Sequence, residues 1–134
     1  MRLTRRYHFA ASHRLNTDAL TPEENAALYG KCNNPFGHGH DYVLDVSVEG
    51  PVDASGQIVG REALDGLVKQ QVLARVDHRN LNCDLPELKD RVATTENLAS
   101  VIEDLLTRKW SLPARLARVR ISETARNTFE LETK

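Results

Sequence analysis

Across residues 40–48 the apolar side chains of Tyr42, Leu44, Val46 and Val48 alternate with Asp41, Asp45 and Ser47. Successive side chains of a strand point to opposite faces, so this period of two specifies a β-strand with one buried face. Val43 lies on the other parity, so the second face is not wholly polar. Such a strand needs neighbours, and three segments offer themselves. Residues 3–9 carry Leu3, Tyr7 and Phe9 on one parity with His8 out of phase, giving a strand that ends near Ala10. Val119 with Ile121, then Phe129 with Leu131, read as two closing strands joined through Ala125, Arg126 and Asn127.

Between these pairs the period changes. Residues 61–75 place Leu64, Leu67, Val68 and Val72 at helical spacing, with Asp65, Lys69 and Gln70 on other faces. Thr94 or Thr95 is suited to cap a second helix, with Glu96 in its first turn, Leu98, Ile102 and Leu105 on its buried face, and an end near Trp110 before Pro113. A short helix is expected within residues 16–31, with Pro22 in its first turn and Gly30 stopping it. The order strand, strand, helix, helix, strand, strand predicts an α+β fold: a four-stranded antiparallel sheet with both helices on one face. The edges of so small a sheet are open, which predicts association through them.

At 134 residues the chain, residues 1–134, is the size of one domain. A net charge of −1 without long runs of one sign supplies no basic field for nucleic acid or an anionic membrane surface. No stretch approaches the roughly 20 apolar residues of a membrane span, and the N-terminus lacks the apolar segment of a signal peptide, so a cytoplasmic protein is expected. Two cysteines, Cys32 and Cys83, do not make a disulfide framework, and each is read as a thiol.

The strongest chemical signal is His38-Gly39-His40 at the start of the alternating strand. Residues two apart share a face, so both imidazoles are able to reach one ion, and antiparallel pairing brings His13 alongside as a third. Three imidazoles suit Zn2+, and three protein ligands leave the fourth position open, which is the catalytic pattern. Cys32 precedes them in a segment rich in Asn, Gly and Pro, CNNPFGHG, the setting of a working thiol rather than a core cysteine. Asp77-His78 offers a carboxylate to orient an imidazole that would lower the Cys32 pKa, although taken alone the same pair reads more readily as an Asx turn. Cys83 has no histidine near it in sequence and is read as structural, and His8 as a side chain on the other sheet face. Arg5, Arg6, Lys31 and Arg126 are candidates for triphosphate contact, although each reads more readily as solvated surface charge.

Taken in order, ASHRL, YGKCNNPFGHGHDY, VDHRNLN, TTENLA and SETARN resemble the 6-pyruvoyl-tetrahydropterin synthase family over nearly the whole chain. The resemblance implies a tunnelling fold, in which sheets of several subunits assemble into trimeric barrels that stack as a hexamer, with active sites at subunit interfaces. It implies conversion of 7,8-dihydroneopterin triphosphate to 6-pyruvoyl-tetrahydropterin in tetrahydrobiopterin biosynthesis, with Zn2+ on His13, His38 and His40 and proton transfer by Cys32, Asp77 and His78. Glu123 would be the pterin anchor, its two oxygens accepting paired hydrogen bonds, though by its chemistry alone it reads as a solvent-facing strand residue. Thr94, Thr95 and Glu96 would contact the pterin or simply begin a helix. Gly60-Arg61 departs from the family pattern after Gly56 and puts the start of the first long helix in doubt. The alternative within the fold is 6-carboxy-tetrahydropterin synthase of the queuosine pathway. Five residues between Cys32 and His38 resemble the pyruvoyl-forming branch rather than the three of the queuosine branch. A further alternative is a zinc- or pterin-binding oligomer without turnover, which would have no use for Cys32 beside an acid–base pair.

Overall fold

The computed structural model describes residues 1–133. Strand β1 (Arg2–His13) pairs antiparallel with β2 (His38–Glu49) along its whole length, with Tyr7 opposite Leu44, Phe9 opposite Tyr42 and His13 opposite His38. Strand β1 therefore runs past Ala10, where the alternation of large apolar residues stops. Backbone pairing with β2 carries it on to His13.

Helix α1 (Pro22–Tyr29) lies between these strands and begins with a reciprocal cap. The Thr21 hydroxyl accepts from the Glu24 N–H, and the Glu24 carboxylate accepts from the Thr21 N–H. After β2 come α2 (Arg61–Val68), a π-type stretch at Lys69–Leu73, and α3 (Ala74–Val76), which together make the helix expected over residues 61–75. Gly60 stands at the N-terminus of α2 without a side-chain cap. A two-residue strand β3 (Arg79–Asn80), the short α4 (Leu81–Asp84), the long α5 (Thr95–Arg108), β4 (Arg115–Ser122) and β5 (Thr128–Glu132) complete the order.

The sheet runs β3-β1-β2-β4-β5. It has five strands, not the four expected, and β3 is parallel to β1 through Ala11 and Ser12. Two residues give no period to read; β3 exists because the His78 N–H donates to the Ala10 carbonyl at 2.6 Å.

The core is one parity of every long strand. Tyr7, Phe9 and Ala11 of β1, Tyr42, Leu44, Val46 and Val48 of β2, and Val119 and Ile121 of β4 are buried against Leu64, Val68, Leu98, Ile102 and Leu105 of the helices. Both long helices thus cover one face, as the sequence predicts. The opposite parity is a charged ladder in which Arg6 holds Asp45 at 2.9 Å. No described helix is long and apolar enough to cross a membrane.

The sheet is also tied to α2 by charge. Arg5 makes two hydrogen bonds to Asp65, at 2.9 and 2.7 Å, and the Tyr7 hydroxyl donates to the same carboxylate at 2.7 Å. The Arg5 guanidinium holds Asp65 below the usual carboxylate range. The pKa is depressed on folding, so the stabilisation is complete above that range and is lost as pH falls through the folded value. Asp65→Asn is expected to cost about 1 kcal/mol at pH 7 in urea unfolding, the half-exposed pair being screened by water. The difference from the parent chain should shrink below about pH 4.

Candidate metal centre and thiol

The apolar rows of the core face end in ligating side chains. On β1 the series Tyr7, Phe9, Ala11 continues to His13; on β2, Leu44 and Tyr42 continue to His40 and His38; on β4, Val119 and Ile121 continue to Glu123. Strand parity alone therefore aims histidines and a carboxylate at one point, just past the apolar core.

His13 is wholly buried. Its Nδ1 lies 2.8 Å from the Ala93 carbonyl oxygen, which only accepts, so Nδ1 carries the proton and Nε2 presents a lone pair. That Nε2 is 3.2 Å from His40 Nε2 and 3.8 Å from Glu123 Oε1, and His40 Nε2 is itself 3.2 Å from Glu123 Oε1. Cys32 Sγ approaches His40 Nε2 at 3.9 Å. The ligand atoms of His13, Cys32, His40 and Glu123 all lie within 4.8 Å of one another.

Donors on a tetrahedral zinc ion with bonds near 2.05 Å are separated by about 3.3 Å, with sulfur slightly farther from nitrogen. The spacings here approximate those edges. One proton on His40 Nε2 cannot satisfy both the His13 Nε2 lone pair and the Glu123 carboxylate, whereas a cation among them would. The residues therefore fit a zinc ion. Burial pushes the pKa of both His13 and His40 down, which favours the neutral imidazoles that metals bind.

His38 is placed differently from the expectation of an equivalent third ligand. It faces His13 across the strand pair, and its ring is 4.7 Å from the His40 ring and nearly perpendicular to it, but its nitrogens lie outside the group formed by His13, Cys32, His40 and Glu123. At the very start of β2 it has strand pairing on one side only, and its half-buried ring is the least constrained of the three.

Local geometry explains the loop between thiol and histidines. Cys32 lies on a single 3-10 turn, Gly30–Asn33, and its carbonyl accepts from the Leu15 N–H at 2.6 Å. The Asn34 carbonyl accepts from Gly37 N–H at 2.9 Å, and Gly37 has φ 85. A Cβ on Gly37 would sit 3.2 Å from the His13 carbonyl oxygen, so glycine is needed both for its backbone angle and for room.

Within one chain neither Asp77 nor His78 is bonded to Cys32, and the family resemblance implies that thiol and pair come from different subunits. Burial pushes the Cys32 thiol up, with the Glu123 charge adding to it. Asp77 instead accepts from the Ala10 N–H at 3.0 Å on the outer edge of β1. The side chain of His78 is 83% exposed, its Nε2 is 3.7 Å from Asp77 Oδ1, and its φ is 58. Together with Ser12, Asp41, Arg79 and Asn80 it borders an open groove of about 610 Å3. His40 lines the same groove, while its Nε2 meets the Cys32 thiol of its own chain at 3.9 Å.

Thr94 caps α5, accepting from the Asn97 N–H at 3.3 Å; Glu96 is exposed in the first turn. Thr95 is buried, and its hydroxyl and that of the wholly buried Tyr42 face each other with no other side-chain partner among the described residues. Sequence reasoning missed two participants. The Ala93 carbonyl, which sets the His13 tautomer, carries no sequence signal. Tyr42, stacked on Phe9 at 4.8 Å and edge-on to His40 at 5.5 Å, was visible only as a core residue.

Comparison with known proteins agrees with this geometry. The model of the family described as 6-pyruvoyl tetrahydropterin synthase matches residues 2–134. The chain is 47% identical over 126 residues to the 6-pyruvoyl tetrahydrobiopterin synthase of Dictyostelium discoideum, covering 93% of this chain and 90% of that one. It is 33% identical over 99 residues to the dihydroneopterin monophosphate aldolase of Pyrococcus furiosus, covering 71% of this chain and 75% of the relative. Its structure superposes on Caenorhabditis elegans 6-pyruvoyl tetrahydropterin synthase with a TM-score of 0.93 at 38% identity, covering 100% of this chain and 96% of the other. The fold is the tunnelling fold, and the chain belongs to the 6-pyruvoyl tetrahydropterin synthase family of lyases.

Proposed function

We propose that residues 1–134 act as one domain that converts 7,8-dihydroneopterin triphosphate to 6-pyruvoyl-tetrahydropterin with loss of triphosphate. The observation that carries this reading is the meeting of His13, His40, Cys32 and Glu123 at one point in a chain of this family. Zn2+ would be held by His13, His40 and His38, and when bound it supplies Lewis-acid polarisation of the side-chain hydroxyl oxygens.

Cys32, 3.9 Å from His40, is placed to take a proton from a side-chain carbon and return it to another. Loss of triphosphate creates one carbonyl; the second forms as two hydrogens move to the C=N bond of the ring, so no external oxidant or reductant enters. Glu123 accepts hydrogen bonds from the amino group and adjacent N–H of the pterin, with Thr94, Thr95 and Glu96 near the ring.

Asp77 and His78 serve the Cys32 of a neighbouring copy. Among the described residues no strand pairs with the outer edge of β1 before Ala10 or with the outer edge of β5. Joining such edges head to tail closes a ring, here a trimeric barrel, two of which would stack as a hexamer. Cys32 and Cys83 are free thiols, suited to a reducing cytoplasm.

The test is mass spectrometry of products formed anaerobically from 7,8-dihydroneopterin triphosphate by zinc-loaded protein, with Cys32→Ala as control. The expected product is 6-pyruvoyl-tetrahydropterin, with turnover falling by at least about a hundredfold in Cys32→Ala. The aldolase relative favours one second reading, retro-aldol cleavage of the side chain, which would release an aldehyde instead of triphosphate. Acetaldehyde with 6-carboxy-tetrahydropterin would assign the queuosine-type reaction, and zinc-loaded assembled protein without turnover would leave a binding role.

A further inference from the structure

We infer that Glu123 has two positions: in the substrate-free enzyme its carboxylate is itself a metal ligand, and the arriving pterin ring draws it off, opening the position that the substrate side chain then takes. The inference rests on the proposed role of Glu123 as pterin anchor.

Three observations carry it. First, Glu123 Oε1 and the Nε2 atoms of His13 and His40 form a triangle with sides of 3.2, 3.2 and 3.8 Å, close to one face of a tetrahedral zinc site. Second, the carboxylate is held there by backbone. It lies two residues beyond the buried Ile121, and the Glu123 N–H donates to the Asn127 carbonyl at 3.1 Å, closing the turn into β5. Third, its side chain is only 14% exposed, and it faces His13 Nε2, whose lone pair is fixed by the bond from Nδ1–H to Ala93. Two lone pairs facing each other in a largely buried site, with no proton between them, are stabilised by a cation that both bind.

A carboxylate that gives Oε1 to the metal no longer has both oxygens free for the paired hydrogen bonds of a pterin. Substrate binding and opening of the metal site would therefore be one event. Without substrate, the three histidines and Glu123 would form a closed four-ligand set.

Cobalt substitution tests this without turnover, because the visible spectrum of Co2+ reports coordination number and ligand type. In the Co2+-loaded protein, Glu123→Gln is expected to alter the visible band, and in chelator competition to weaken Zn2+ binding by at least about tenfold. Glu123→Asp, which keeps a shorter carboxylate, should fall between the two and carries the test if Glu123→Gln does not fold. Unreactive neopterin, added as probe, should shift the spectrum of the parent protein and leave that of Glu123→Gln unchanged. A Glu123→Gln protein with the parent spectrum and zinc affinity would overturn the inference. So would a thiolate-to-cobalt charge-transfer band that disappears in Cys32→Ala, which would give the fourth position to Cys32. Protein that shows the Glu123-dependent spectrum yet does not convert 7,8-dihydroneopterin triphosphate would sink the proposed reaction and leave the ligand assignment standing.

Discussion

His40→Ala is expected to strip the protein of bound zinc and to reduce kcat by roughly a hundred- to a thousandfold, the range observed when a preorganised electrostatic group is removed from an active site. His40 is singled out because its Nε2 lies at the centre of the cluster: 3.2 Å from His13, 3.2 Å from Glu123 and 3.9 Å from Cys32. Its loss leaves His13 and Glu123 3.8 Å apart without the group that bridges them. Folding should largely survive, since the apolar core begins at Tyr42, two residues farther along β2. The check is zinc content by elemental analysis beside kcat and a thermal melt. Full zinc occupancy in His40→Ala would show that the ion lies elsewhere.

The second large effect is a rescue. Cys32→Ala and His78→Ala should each lose at least about a hundredfold in activity, as expected for removal of a proton-transfer group. If thiol and imidazole act across a subunit boundary, unfolding and reassembling the two variants together at equal amounts creates sites with both groups intact. Random mixing around a head-to-tail ring gives about a quarter of the parent activity. The physical basis is where each group sits. Cys32 sits on the Gly30–Asn33 turn against His40, and His78 lies at the outer edge of β1 with its backbone bonded to Ala10 and its side chain exposed. No recovery in mixtures that have exchanged subunits would place both groups in the same chain's site or remove His78 from the chemistry.

Strand β2 and the buried faces of α2 and α5 were legible because their periods are long enough to count: Tyr42, Leu44, Val46 and Val48 at two, and Leu98, Ile102 and Leu105 at helical spacing are all buried. His13 was legible as a candidate ligand, but the strand that carries it was expected to end near Ala10, since Ala11 and Ser12 give no alternation and only pairing with Gly39 and His40 extends β1 over them. Strand β3 was hidden because two residues held by a backbone bond after a positive-φ histidine have no period. The location of Glu123 beside the histidines was available by counting on from Val119 and Ile121, although the single apolar pair made that strand too short to trust to its end. The outward turn of Asp77 was not available. A carboxylate that bonds a distant Ala10 N–H looks, in sequence, the same as one that orients the next histidine.

The pairing of β1 with β2 places the core side chains and the histidines on one parity, with His13 opposite His38 and Phe9 opposite Tyr42. A slip of one residue between these strands would turn one strand's histidines to the far side of the sheet at the same time as it expelled that strand's apolar row. Under the proposed zinc binding, metal uptake would thereby act as a proofreader of folding: a chain that captured the ion would have certified its own strand register, and a mispaired chain would be left both unstable and empty.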